Sequence, residues 1–271
     1  MKKILGSALA LALLFSMGAF GQVKAKDGVY YAQENAYGQT GWKEQVVVKV
    51  SGGKITEVIW NGVSNLGGAD KATVAAAGGY GLIKASKIKA EWDAQAKAVA
   101  DWVVKTQDTA GKFTKDGYAD GIAGASLHVS GFFALLGQAL GSAPVAKGPF
   151  KKDGWFYATQ ANFDAQTGWK DTVLVTVVNG TIVNVVWNGL NKDPKAKSKL
   201  VTAIAGGYGM AKAAKNGEWN VQAARVEEAI VKAGDPAKIP LKNDGTTDAI
   251  AGATLHPTAV SLAVEALKAA R

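Results

Sequence analysis

The 271-residue chain carries 31 Lys and Arg against 22 Asp and Glu, a formal charge of +9, and is 48% hydrophobic and 20% charged. It has no cysteine and only two histidines, which excludes disulfides, thiolate metal sites, iron–sulfur ligation and a His-rich zinc or haem site. Chemistry must come from a bound cofactor or from oxygen and nitrogen side chains, and no metal site is expected.

In chain order, the first feature is an export signal over residues 1–21. Lys2 and Lys3 form a positive start, Ile4 to Phe20 is uncharged and mostly apolar, and small residues at Ala19 and Gly21 suit cleavage before Gln22. Val23 and Ala25 would allow cleavage as late as residue 25. The apolar run falls short of the ~20 residues of a membrane span, so no stable membrane insertion is expected after processing. Export and scattered lysines argue against nucleic acid as a partner; the basic charge suits acidic protein partners or anionic envelope polymers.

From residue 26 onward the sequence is one unit written twice. Lys26-Asp27-Gly28 recurs as Lys152-Asp153-Gly154, Thr40-Gly41-Trp42-Lys43 as Thr167-Gly168-Trp169-Lys170, and Trp60-Asn61-Gly62 as Trp187-Asn188-Gly189. Gly78-Gly79-Tyr80-Gly81, Glu91-Trp92 and Ile122-Ala123-Gly124-Ala125 likewise recur as Gly206-Gly207-Tyr208-Gly209, Glu218-Trp219 and Ile250-Ala251-Gly252-Ala253. The composition of residues 144–151 is that of a linker, dividing domain 1 (26–143) from domain 2 (152–271), each expected to fold by itself.

Within each unit strands come first and helices later. Gln45 to Val50 and Lys54 to Trp60 read as a hairpin about Gly52-Gly53; Thr172 to Val178 and Thr181 to Trp187 read as its twin about Asn179-Gly180. Trp92, Ala96, Val99 and Val103 share a helical face, as do Trp219, Ala223, Val226 and Ile230. A last helix follows Ser126 and Thr254, with Phe132 and Leu136, or Val260 and Val264, facing inward. Each unit is therefore α+β, a small antiparallel sheet covered by helices.

The segment most suggestive of chemistry is Asp120-Gly121-Ile122-Ala123-Gly124-Ala125-Ser126, with its twin Asp248-Ala249-Ile250-Ala251-Gly252-Ala253-Thr254. Ser becomes Thr at the last position, so a hydroxyl survives where the side chain does not. Gly124 and Ala125, or Gly252 and Ala253, leave room for a bulky group beside the backbone. Placed just before a helix, the hydroxyl would meet free N–H groups that favour a phosphate, and it could equally serve as a plain N-cap.

This segment resembles the FMN-binding domain of the C subunit of the sodium-translocating NADH:quinone reductase, of the G subunit of the Rnf complex and of related extracytoplasmic flavoproteins. That family's motif runs Asp, two variable residues, Ser or Thr, then Gly-Ala-Thr or Gly-Ala-Ser. The resemblance implies that Ser126 and Thr254 each carry FMN through a phosphoester, installed from FAD by a dedicated Mg-dependent flavin transferase outside the cytoplasm. It covers nearly all of residues 26–271. The sequence departs from the motif at Ala123 and Ala251, where the family has Ser or Thr.

A flat isoalloxazine ring would seek aromatic neighbours, for which Tyr80 and Tyr208, then Trp42 and Trp169, are the candidates, with core packing as the alternative. His128 and His256, two residues past each hydroxyl, could touch the phosphate or tune the ring. A hydrolase is rejected because a His two residues from a Ser on one local segment is poorly placed as its base. These readings point to an exported, periplasmic electron carrier that is not itself an enzyme, with two covalent FMN groups and unidentified donor and acceptor proteins. The alternative is a duplicated, non-redox binding module of the cell envelope.

Overall fold

The computed structural model describes residues 24–212 and 214–271. The export signal, and with it cleavage before Gln22, lies outside the described residues. The α+β expectation holds in both units. The first unit runs β1 (Gly28–Gln33), β2 (Trp42–Ser51), β3 (Lys54–Ser64), α1 (Lys71–Ala76), α2 (Leu82–Ala85), α3 (Trp92–Thr106) and α4 (Ser130–Gly141). The second runs β4 (Gly154–Thr159), β5 (Trp169–Val178), β6 (Thr181–Asn191), α5 (Lys199–Ile204), α6 (Trp219–Ala233) and α7 (Thr258–Ala266). Each sheet is a three-stranded antiparallel meander, β1-β2-β3 or β4-β5-β6. Among the described residues, no helix is long and apolar enough to cross a membrane.

The repeated motifs have structural duties. Gly52 and Gly53, like Asn179 and Gly180, take positive φ in both central positions of a two-residue hairpin turn, the geometry that matches strand twist. Asp27 of the Lys-Asp-Gly motif accepts both turn N–H groups, from Gly52 at 2.8 Å and Gly53 at 3.1 Å; Asp153 accepts those of Asn179 and Gly180 at 2.7 Å each. The side chain of Asn61 accepts from the N–H groups of Gly62 and Ala72, tying β3 to α1, and Asn188 ties β6 to α5 through Gly189 and Leu200. Glu91 and Glu218 cap α3 and α6 and also receive N–H groups from the glycine-rich turn before α2 or its counterpart.

The helical faces pack as expected. Trp92, Ala96, Val99 and Val103 are buried in one core; Trp219, Ala223, Val226 and Ile230 are buried in the other. Phe132, Leu136 and Val260 also face inward, but Val264 does not reach burial. In α7 the inward positions are Val260, Ala263 and Leu267, the i, i+3, i+7 stripe of a helical face, and the chain then tightens into a 3₁₀ turn over Leu267–Ala270.

The two units are joined more closely than a linker implies. A third apolar cluster, Val63, Leu174 and Val186, sits between the sheets, with Tyr37, Trp155 and Tyr157 packed on it. Gln45 is 0% exposed there and accepts from Trp155 Nε1 at 2.6 Å and from the Thr176 hydroxyl at 3.3 Å. The carbonyl of Asn65 accepts from Asn188 Nδ2 at 2.7 Å and the Ser198 hydroxyl at 2.5 Å. Residues 144–151 are pinned as well: Val145 N–H donates to Val29, and Gly148 and Phe150 donate to the β5–β6 turn. The helices therefore cover the outer faces of two stacked sheets. Glu227 of α6 accepts the Trp187 N–H at 2.7 Å, and burial pushes its carboxyl up to about 7 against the lowering pull of that bond and of Lys43 from the first unit.

Candidate functional site

The hydroxyl segments are tight turns standing off the last helix. Ala125 N–H donates to Ile122 O at 3.2 Å and Ala253 to Ile250 O at 3.3 Å, with Ile122 and Ile250 buried as anchors. Gly124 and Gly252 take φ of +82° and +74°, a conformation that costs glycine nothing. In the first unit Ser126 donates both its backbone N–H and its hydroxyl to Gln95 Oε1, at 2.8 and 3.0 Å. In the second Thr254 does the same to Gln222 Oε1, at 2.8 and 3.1 Å.

Both glutamines are wholly buried on the core faces of α3 and α6. Gln95 Nε2 donates to Ala90 O at 2.9 Å and to Ser86 Oγ at 3.0 Å, and Ser86 Oγ lies 3.4 Å from Ser126 Oγ. Gln222 Nε2 donates to Gly217 O at 3.1 Å. These glutamines were not singled out in the sequence. Their signal was present: a polar residue three positions after each Glu-Trp pair, on an otherwise apolar helical face.

The helix-start argument for the hydroxyls fails. Helices α4 and α7 begin at Ser130 and Thr258, four residues beyond Ser126 and Thr254, with Val129 and Pro257 at the cap positions and no side-chain cap bond. In the first unit a non-helical stretch intervenes, in which Ala119 N–H donates to Leu127 O and Tyr118 bridges His128. The hydroxyls are therefore neither N-caps nor placed at a helix dipole. Asp120 and Asp248 remain exposed, Asp248 in a surface ion pair with Lys242 at 2.8 Å, and neither bonds the hydroxyl of its segment.

Ser126 and Ala125 line a cleft of about 710 Å³ with Leu82, Ala85, Lys87 and Tyr118. Tyr80 and Trp42 line the adjoining cleft of about 560 Å³, which shares Leu82 and Ala85 with the first. Both volumes lie in the ~300–1,000 Å³ range of small-molecule sites. The sequence candidates Ser126 and Ala125 thus line one of two clefts that share Leu82 and Ala85 of α2, and Tyr80 and Trp42 line the other. Trp42, Tyr80 and His128 also line a smaller third cleft of about 280 Å³. His128 packs against Gly117 and meets the Tyr118 ring edge-on at 5.4 Å, while His256 is exposed near Gly245. Trp169 and Tyr208 pair in the second unit as Trp42 and Tyr80 do in the first, with ring centroids 6.2 Å apart in each.

Behind the rings lies a second feature the sequence reading missed. Lys71 Nζ meets Glu44 Oε1 at 2.5 Å, and Lys199 Nζ meets Asp171 Oδ1 at 2.5 Å. Both lysines are buried beneath aromatic rings. Burial raises the Glu44 carboxyl above its usual range, and the Lys71 charge opposes the shift.

No family model matches this sequence, and no curated protein does. Two solved structures resemble one unit. One is the solution NMR structure of a structural-genomics target from Clostridium thermocellum, 46% identical, covering 44% of this chain and 92% of that one with a TM-score of 0.35. The other is the crystal structure of a Clostridium perfringens protein, 21% identical, covering 44% of this chain and 88% of that one with a TM-score of 0.33.

Proposed function

We propose that this protein is an exported electron carrier of the FMN-binding domain type, holding one FMN by phosphoester on Ser126 and one on Thr254. The observation that carries the reading is the treatment of the hydroxyl. In both units it is fixed by the carbonyl of a buried glutamine on a turn whose neighbours are Gly and Ala. An amide oxygen orients a hydroxyl but is too weak a base to activate it. Among the described residues no carboxylate or imidazole bonds either hydroxyl. That environment suits a group modified by another enzyme better than a self-activated nucleophile.

The residues around Ser126 fit a flavin nucleotide. Lys87, Ser86 and Thr114 offer a charge and hydroxyls suited to a phosphate, although Asp116 adds an opposing charge on the same rim. Leu82 and Ala85 give an apolar floor leading toward Tyr80 and Trp42, where a planar ring finds aromatic neighbours. Bound flavin supplies the exchange of one or two electrons. The chain itself orients the acceptor hydroxyl, keeps the attachment turn rigid and walls the two clefts with apolar side chains. Its donor and acceptor are other proteins, and a periplasm would keep the carrier close to both.

Intact mass of the protein co-expressed with an exported flavin transferase tests the reading. The expected result is two FMN groups that survive denaturation, one lost in Ser126→Ala, the other in Thr254→Ala, and none left in the double variant. Flavin retained by the double variant would reassign the attachment residues. A colourless native protein made beside an active transferase would favour the envelope-binding alternative.

A further inference from the structure

Lys71 and Lys199 open the short helices α1 and α5, and each runs its stem past a glycine of the repeated Trp-Asn-Gly motif. A Cβ on Gly62 would lie 3.4 Å from Lys71 Cδ, and one on Gly189 only 2.9 Å from Lys199 Cε. Lys71 Nζ stands 4.3, 5.0 and 5.8 Å from the ring centroids of Trp92, Tyr80 and Trp42. Lys199 Nζ stands 5.2, 5.9 and 5.8 Å from those of Trp219, Tyr208 and Trp169. Each ammonium is thus enclosed by three aromatic rings at cation–π range, and in the first unit two of them, Tyr80 and Trp42, line the cleft that shares Leu82 and Ala85 with the Ser126 cleft.

Stability does not explain this arrangement, because a buried ion pair recovers little of its lost hydration and apolar residues would fill the space as well. The counter-ion also differs between units. Glu44 Oε2 accepts Trp60 Nε1 at 2.9 Å, whereas the shorter Asp171 receives the Thr258 hydroxyl and Trp187 Nε1 finds no partner among the described residues. The cation and its three rings are common to both units; the length and hydrogen bonding of the carboxylate are not.

Resting on the flavin reading above, we infer that Lys71 and Lys199 are electrostatic positioning residues, each a fixed cation behind the Tyr–Trp wall that favours the reduced state of the flavin held on its unit. Uptake of two electrons from an external reductant and one proton from solvent leaves the flavin one charge more negative. A cation across a water-poor aromatic wall stabilises that added charge more than it would in water, and the paired carboxylate offsets part of the effect. Lys71 would act on the Ser126 flavin through Tyr80 and Trp42, and Lys199 on the Thr254 flavin through Tyr208 and Trp169.

The test uses full-length Thr254→Ala protein, co-expressed with the transferase, so that only the Ser126 flavin reports. Intact mass first establishes one FMN per chain; its absence would overturn the flavin reading and this inference together. Dithionite titration then gives the midpoint potential. Glu44→Gln/Lys71→Met, which removes both charges at once and so avoids an unpaired buried ion, should disfavour reduction at least tenfold, about 30 mV for a two-electron couple. Glu44→Gln alone should move the potential the opposite way by leaving the cation uncompensated, and Lys71→Arg should stay near the parent. A purely structural lysine predicts no such opposed signs. One FMN per chain with unchanged potentials, or a Glu44→Gln shift in the same direction as the double variant, would overturn the inference while leaving the flavin reading intact.

Discussion

Replacing Gln95 with Leu isolates what the buried amide does, because leucine roughly keeps the volume and removes only the polar atoms. Four hydrogen bonds disappear: two from Ser126, and those to Ala90 O and Ser86 Oγ. A typical bond contributes about 1 kcal/mol net, and a buried group left unpaired costs ~1–3 kcal/mol. Ser126 is only half-buried, so water replaces part of its loss, whereas Ser86 is 5% exposed and has little access to water. The expected destabilisation is therefore about 2–4 kcal/mol. With urea m-values of ~1–3 kcal/mol/M, the midpoint should fall by roughly 1–2 M. Gln222→Leu should cost less, since Thr254 is exposed and no serine hydroxyl occupies the place of Ser86. Urea unfolding followed by tryptophan fluorescence measures both. A Gln95→Leu protein within ~0.5 kcal/mol of the parent would show that the amide does not hold the hydroxyl turn.

Further tests address the two-sheet arrangement. Glu227 has a folded pKa raised to about 7 by burial, so the native state binds the extra proton; stability should be fully present below about 4.5 and decline as pH rises toward 7, by up to ~3 kcal/mol at ~1.4 kcal/mol per unit, and Glu227→Gln should flatten that slope in pH-dependent denaturation. Gly148→Ala would set a Cβ 2.0 Å from Gly180 O, so thermal unfolding should show a loss of at least ~1–3 kcal/mol if the connector is locked, and no change if it is free. Leu174→Ala between the sheets should cost about 2–4 kcal/mol by the same measurement, and a loss below ~0.5 kcal/mol would mean the sheets are not packed.

What was legible in the sequence was what repeats locally. Hairpin turns need positive φ at two adjacent positions, and Gly52-Gly53 and Asn179-Gly180 advertise it. The α3 and α6 faces follow the helical period through Trp, Ala and Val or Ile. The first strand of each unit escaped notice because Gly28 to Gln33 is short and mixes aromatic and small residues. The sheet-to-sheet contact was harder still. Its sign is the run Val173-Leu174-Val175-Thr176-Val177-Val178, with no polar side chain alternating out to solvent, as expected of a strand covered on both faces. That run specifies burial without naming the surface that buries it. The hydroxyl segments read as lying just before a helix with room beside them, but three further residues separate each hydroxyl from the helix start. Nothing in Leu127 or Leu255 announces that gap.

The buried polar residues show why duplication is informative here. A glutamine in a core helix, or a lysine under tryptophan, is individually compatible with an accident of packing. Finding Gln95 with Gln222, and Lys71 with Lys199, in matching places changes that, because the surroundings have diverged. Asp70 and Ser198 both cap their helices, but Asp70 also accepts from Asn61 whereas Ser198 donates to Asn65 of the first unit. In the second unit Arg225 on α6 donates to the Gly252 carbonyl, a contact with no counterpart in the first, where Ala98 lies against Gly124. Some side chains that only fill space or satisfy neighbours have thus been exchanged between units, together with the bonds they made, although the turn and cap residues Asp27 and Asp153, Asn61 and Asn188, and Glu91 and Glu218 have not. The amide that orients the hydroxyl and the cation enclosed by three rings have kept both residue type and geometry. For the two lysines a demand for stability alone would have allowed apolar replacement of the ion pair, so a cation retained in both units is what the positioning role proposed above expects.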